Sequence, residues 1–123
     1  MTLQDKYLVE AAKAVAGEAN ESIDYSGYSD QDGNITTSDT SLTNEIGSRS
    51  VVDVSRSNRQ ITYSTTRSAA NVVDTTNGDD IQEIGLFSDQ TGSNMQQYVD
   101  VANINQTTDF DIELTQNVTV TRS

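Results

Sequence analysis

Residues 110–120 read Phe110-Asp111-Ile112-Glu113-Leu114-Thr115-Gln116-Asn117-Val118-Thr119-Val120. Phe110, Ile112, Leu114, Val118 and Val120 stand on even positions. Asp109, Asp111, Glu113, Thr115, Asn117 and Thr119 take the odd ones, and only Gln116 interrupts the apolar row. Successive side chains of a strand point to opposite faces. The pattern therefore predicts an antiparallel strand with one face buried and the other in water.

The same period of two recurs upstream. Val51 to Arg56 and Gln60 to Thr65 alternate on either side of Ser57-Asn58-Arg59, which predicts a hairpin. Ile81 to Phe87 reads as a strand interrupted by Gly85, and Met95 to Val101 as its return. Asn71 to Asp74 and the segment Ile23, Tyr25, Tyr28 are shorter candidates. Residues Thr75 to Asp80, with Asn77-Gly78 inside, form a turn cluster. Only the N-terminus has a helical period: Leu3, Tyr7, Leu8, Ala11, Ala12 and Val15 share one stripe. Thr2 with Asp5 resembles a capping signal, and Gly17 is a suitable stop. The expected fold is mainly β: an antiparallel β-sandwich, jelly-roll-like, with one N-terminal α-helix. Residues 1–17 would form the amphipathic helix and residues 18–123 a single β-sandwich domain.

Composition narrows the chemistry. A chain of 123 residues suits one domain with one core. Its hydrophobic share is 33%, below the roughly 45–50% of ordinary globular chains. A thin core, or one completed by a neighbouring subunit, is expected. There is no histidine and no cysteine, so the commonest general base and the thiolate metal ligand are both missing. The net charge of −12 has the wrong sign for a nucleic-acid backbone. No apolar run approaches the ~20 residues of a membrane helix, and the first residues lack a signal-peptide layout. The expectations are therefore no nucleic acid, no membrane insertion and synthesis in the cytoplasm. Two of the seven basic residues are lysines, Lys6 and Lys13, among nineteen acids. That balance fits a protein of a very salty cytoplasm, where salt screens self-repulsion within a few ångströms; an ordinary acidic surface is the plainer alternative.

Two stretches invite a chemical reading. Tyr28 to Asp39 sets Asp30, Asp32 and Asp39 at the third, fifth and twelfth positions of a calcium-type loop, with Gly33 at the sixth. Tyr28 stands where such loops carry Asp, and Asp39 where they carry Glu, so an acidic surface turn is the competing reading. Calcium is the one ligand this loop admits; no other cofactor is expected. No nucleophile elbow or phosphate loop is present, and nineteen acids make neighbouring carboxylates such as Asp79-Asp80 unsurprising. The chain is not expected to be an enzyme. The second stretch is Glu83-Ile84-Gly85-Leu86-Phe87. Ile84 and Leu86 would share one face and Phe87 the other, and Gly85 would permit a bulge or a close approach. This is a core motif.

The order of segments around that motif resembles a family of small virion proteins of tailed viruses, the tail-fibre, collar, baseplate-associated and turret-type components. The matching pieces are the N-terminal helix; Ser38-Asp39-Thr40-Ser41-Leu42 with Glu45-Ile46 before Arg49; the hairpin; Glu83 to Phe87; Thr91-Gly92 and Met95; and Val118-Thr119-Val120-Thr121. The family often carries a Lys shortly before the last strand, where this chain has Asn105-Gln106-Thr107-Thr108. The resemblance implies a non-enzymatic, self-associating virion part made in the host cytoplasm. Its partners would be copies of itself, other virion proteins and, through polar loops around Tyr25 and Tyr28, a host surface. With the acid-rich composition, it implies a haloarchaeal host. Leu3, Tyr7, Leu8 and Val15 are the expected oligomer or anchoring surface, with packing against their own domain as the alternative. The rival reading is a carbohydrate- or calcium-binding β-sandwich module of a cellular surface protein.

Overall fold

The computed structural model describes residues 1–122. Seven strands and one helix follow in the order β1 (Thr2–Leu3), α1 (Asp5–Val15), β2 (Tyr25–Ser29), β3 (Glu45–Ser57), β4 (Gln60–Arg67), β5 (Asp79–Phe87), β6 (Met95–Gln106) and β7 (Ile112–Thr119). All pairings are antiparallel, and the strands form one curled sheet in the order β1-β6-β5-β2-β3-β4-β7.

β3 makes the curl. Its first half pairs with β2, from Ser29↔Glu45 to Tyr25↔Val51. Its second half pairs with β4, from Val52↔Thr65 to Ser57↔Gln60. Between Ser26↔Ser50 and Tyr28↔Ile46 the register shifts, and Gly47 takes a φ of 67° there. Extra residues on one strand bend it and increase its twist. The hairpin from β3 to β4 turns at Asn58, whose φ of 56° is a conformation Asn tolerates well.

The curl brings β7 across from β5 and β6. Tyr28, Ile81, Ile84 and Ile112 meet on the inner face with Val99, Val101 and Ile104 around them. Ile23, Val52, Tyr63 and Leu86 continue that core towards α1, where Tyr7 joins them. A further cluster lies on the outer face: Leu42, Phe87, Met95 and Tyr98, with Ile35 beside them. It is roofed by the segment between β2 and β3. β5 is therefore buried on both faces, where composition suggested a single thin core. Polar side chains complete the interior, including the fully buried Arg67, Gln97, Gln106 and Glu83.

Several local expectations are corrected. Thr2 does not cap the helix; it belongs to β1, paired with Tyr98. Gln4 is the N-cap residue, but its side chain makes no cap. Instead its amide donates to the carbonyls of Thr36 (2.6 Å) and Asp39 (2.7 Å). The helix occupies residues 5–15 of the expected 1–17. It stops at Gly17, φ 75°, with N–H bonds from Gly17 to Ala14 and from Glu18 to Lys13 closing the last turn. Asn71 to Asp74 is not a strand: Ala69–Asn71 is a short 3-10 turn. The amides of Val73 and Asp74 donate to the Asp79 carboxylate rather than to a neighbouring strand. Phe110 is exposed, outside the buried row.

Candidate interaction surface

Glu83 to Phe87 forms the structural centre of the outer face. The Glu83 carboxylate is buried. It accepts bonds from the Thr43 amide (2.9 Å), the Gly33 amide (2.9 Å) and the Thr43 hydroxyl (2.7 Å). It thus pins both ends of the roofing segment to the sheet. Tyr98 lies beside it. Burial, followed by the charges of Glu83, Asp100 and Asp32, pushes the Tyr98 phenol pKa up. Ile84 and Leu86 face inward while Phe87 faces outward, as the alternation predicts. Gly85 supplies the close approach: it pairs with Gly27, and a Cβ on it would lie 2.7 Å from the Met95 sulfur and 2.8 Å from the Phe87 ring. The register shifts of β5 fall at Ile81/Glu83 and Leu86/Phe87, not at Gly85.

The expected calcium residues are held apart. Asp30 accepts from the side-chain Nδ2 of Asn44 (2.7 Å), and Asp39 accepts from the backbone N–H of Thr36 (2.7 Å). Asp32 is exposed. Among the described residues no group of three or more acids is arranged to hold a metal ion. Tyr28 is buried and Tyr25 half-buried, so neither is the exposed ring that a host contact would use.

The four residues expected as an oligomer or anchoring surface divide between two environments, and Leu3 lies in β1 rather than in the helix. The Tyr7 hydroxyl hydrogen-bonds that of Tyr63 at 2.9 Å, with the rings edge to face at 6.4 Å. Burial and then this bond push the Tyr63 pKa up. Leu3 is half-buried. Leu8 and Val15 are 55% and 90% exposed. Both look into a groove of about 630 Å³ between α1 and the protruding ends of β3, β4 and β7. Val54, Ile61, Val118 and Val120 line its far wall. Glu10 stands at the rim, its carboxylate accepting from Lys13 Nζ and the Glu21 amide, both at 3.3 Å. Burial would raise its pKa, but the bonds from Lys13 and the Glu21 amide and the charge of Lys6 prevail and hold it low.

The alternating pattern reads Val118 and Val120 as buried. Val118 is half-buried and packs against the core of Ile23, Val52, Tyr63 and Leu86, whereas Val120, one step further along the row, is 59% exposed. Their spacing is the same inside and outside the core, so nothing local distinguishes them.

No protein-family model matches the chain, and no significant match was found among curated proteins or solved structures. No helix among the described residues is long and apolar enough to cross a membrane.

Proposed function

We propose that this chain is a non-enzymatic structural module of a tailed virus particle, acting by self-association as a tail, collar, baseplate or capsid turret or decoration component. The observation that carries the self-association is the apolar groove. Leu8, Val15, Val54 and Val120 are each more than half exposed around one depression. Contiguous apolar surface of this kind marks interaction sites. It also accounts for a low apolar share, since part of the burial would come from neighbours.

The virion assignment rests on the order of helix, Asp-Thr-Ser-Leu segment, hairpin, Glu-Ile-Gly-Leu-Phe motif, Met and final strand. The curled sheet supports a sandwich-like, jelly-roll reading of that family's fold, with β3 shared between its two halves. The acid-rich, lysine-poor composition supports a haloarchaeal host. The buried positions of Glu83 to Phe87 support a scaffold role for the motif, in which binding takes place elsewhere.

Genome context tests the assignment. Genes for capsid, portal and tail proteins on either side of this one are the expected result. A cell-wall or secretion cluster would overturn it in favour of a surface module.

A further inference from the structure

We infer that the free edge of β7 pairs antiparallel with β7 of a second copy, about a two-fold axis at Gln116. The inference rests on the self-association proposed above and assigns its interface.

The edge is open and regular. β7 is last in the sheet and its only strand partner among the described residues is β4. That pairing runs without a shift from Gln60↔Thr119 to Arg67↔Ile112. Natural sheets blunt such edges with lysine, proline, bulges or a covering element. β7 has none of these: the chain contains no proline and its last lysine is Lys13. The opposite edge differs in regularity: β1 covers β6 only at Gln97 and Tyr98, and the rest of β6 carries Asp100 and a register shift against β5 between Ile81 and Glu83.

The backbone fixes which groups are available. The Val120 amide donates to the Arg59 carbonyl at 2.9 Å. Antiparallel ladders alternate hydrogen-bonded and non-bonded pairs. Even residues of β7 therefore turn their N–H and C=O groups towards β4. Glu113, Thr115, Asn117 and Thr119 turn theirs outward.

Charge and side-chain chemistry favour a second copy as the occupant. The chain carries −12 overall, yet residues 112–120 contain one charge, Glu113. A two-fold at Gln116 sets Glu113 opposite Thr119 and Thr115 opposite Asn117. The two Glu113 carboxylates then stand about 20 Å apart along the strands, beyond a Debye length at any ordinary salt. Continued past the ladder, the register carries Arg122 of each copy towards the acidic turn Asp109–Asp111 of the other. On the inner face Leu114 meets Val118, and Ile112 meets Val120, so the apolar wall of the groove gains a matching neighbour. An interface in which one patch serves both partners closes on itself.

A single cysteine tests the register, because the chain has none of its own. In this arrangement two Gln116 residues form a non-bonded pair with Cα atoms about 4.5 Å apart, within disulfide range. Oxidising the full-length Gln116→Cys variant with diamide in molar KCl should yield mostly disulfide-linked dimer. Ser64→Cys, on the outer face of the interior strand β4, should stay monomeric on a denaturing gel. Thr115→Pro removes an outward N–H while leaving the β4 ladder intact. It should abolish association of the otherwise native protein with no loss of strand signal. If native wild type associates but Gln116→Cys fails to cross-link, or cross-links no better than Ser64→Cys, the edge is wrong and self-association stands. A monomeric wild type overturns both.

Discussion

The guanidinium of Arg49 lies 3.5 Å above the centroid of the Phe87 ring. The edge of that ring reaches to within 2.8 Å of where a Cβ on Gly27 or Gly85 would stand. Arg49 also donates to both carboxylate oxygens of Glu45 and to the carbonyls of Asp89 and Gly92, all at 2.7–2.9 Å. One side chain thus covers the aromatic anchor of the outer core and organises the β5–β6 turn. Lysine offers a point charge but no fork or stacking plane. Arg49→Lys should cost about 1–3 kcal/mol, from one lost charged hydrogen bond and the weakened ring contact. Guanidinium-chloride unfolding measures it.

Gly85→Ala should destabilise by about 1–3 kcal/mol through overpacking. Its Cβ would meet the Met95 sulfur at 2.7 Å and the Phe87 ring at 2.8 Å, and both of those side chains are fully buried. Gly17→Ala is the comparison. No atom lies within 4 Å there, so only the left-handed backbone is strained and the cost should be nearer 1 kcal/mol. Equal losses at the two sites would contradict the packing account of Gly85.

Glu83→Gln should loosen the segment 30–44 selectively. The carboxylate accepts from two amides and a hydroxyl, and a side-chain amide must turn an NH₂ towards at least one of those donors. A buried unsatisfied amide costs about 1–3 kcal/mol. Hydrogen exchange at Gly33 and Thr43 should accelerate by tenfold or more, while exchange in β4 and β7 should change little. Uniform acceleration would mean that Glu83 supports the whole sheet rather than its roof.

Acid should weaken the closed end of the sheet. Arg67, fully buried, donates to Asp79 at 2.8 Å and to Gln106 at 2.7 Å. Burial alone would raise the Asp79 pKa. The amides of Asp74 and Val73 and the Arg67 charge outweigh it and hold the pKa below the ordinary carboxylate value. A group whose folded pKa is depressed stabilises above its unfolded pKa, about 4, and that stability is lost as pH falls through the folded pKa. Asp79→Asn should lose about 3–5 kcal/mol at neutral pH by leaving Arg67 buried without its counter-charge. It should also lose less stability than wild type on acidification below about pH 4. Parallel pH profiles would remove Asp79 as a source of acid sensitivity.

The long alternating strands were legible because each has one wet face and one dry face. Ile112 and Leu114 in β7, and Ile84 and Leu86 in β5, lie on the expected sides. What escaped depends on distant partners. Val72 and Val73 look like strand residues, but their segment is shaped by Asp79, whose own position depends on Arg67. Ile35 and Leu42 stand isolated in polar sequence, so the outer core they build with Phe87 leaves no local period. On the helix, periodicity identified the apolar stripe but not which members are covered. Tyr7 meets Tyr63 across 56 positions, while Val15 meets solvent. The groove between α1 and the β7 end exists only once the sheet has curled.

Sedimentation equilibrium of the purified full-length chain in molar KCl tests the central claim most directly. The account predicts a defined oligomer, a whole multiple of the chain mass. Dilution into low salt should loosen it, as repulsion between the acidic surfaces is unscreened. A strict monomer at all concentrations in molar KCl would contradict the reading of this chain as a self-associating building block.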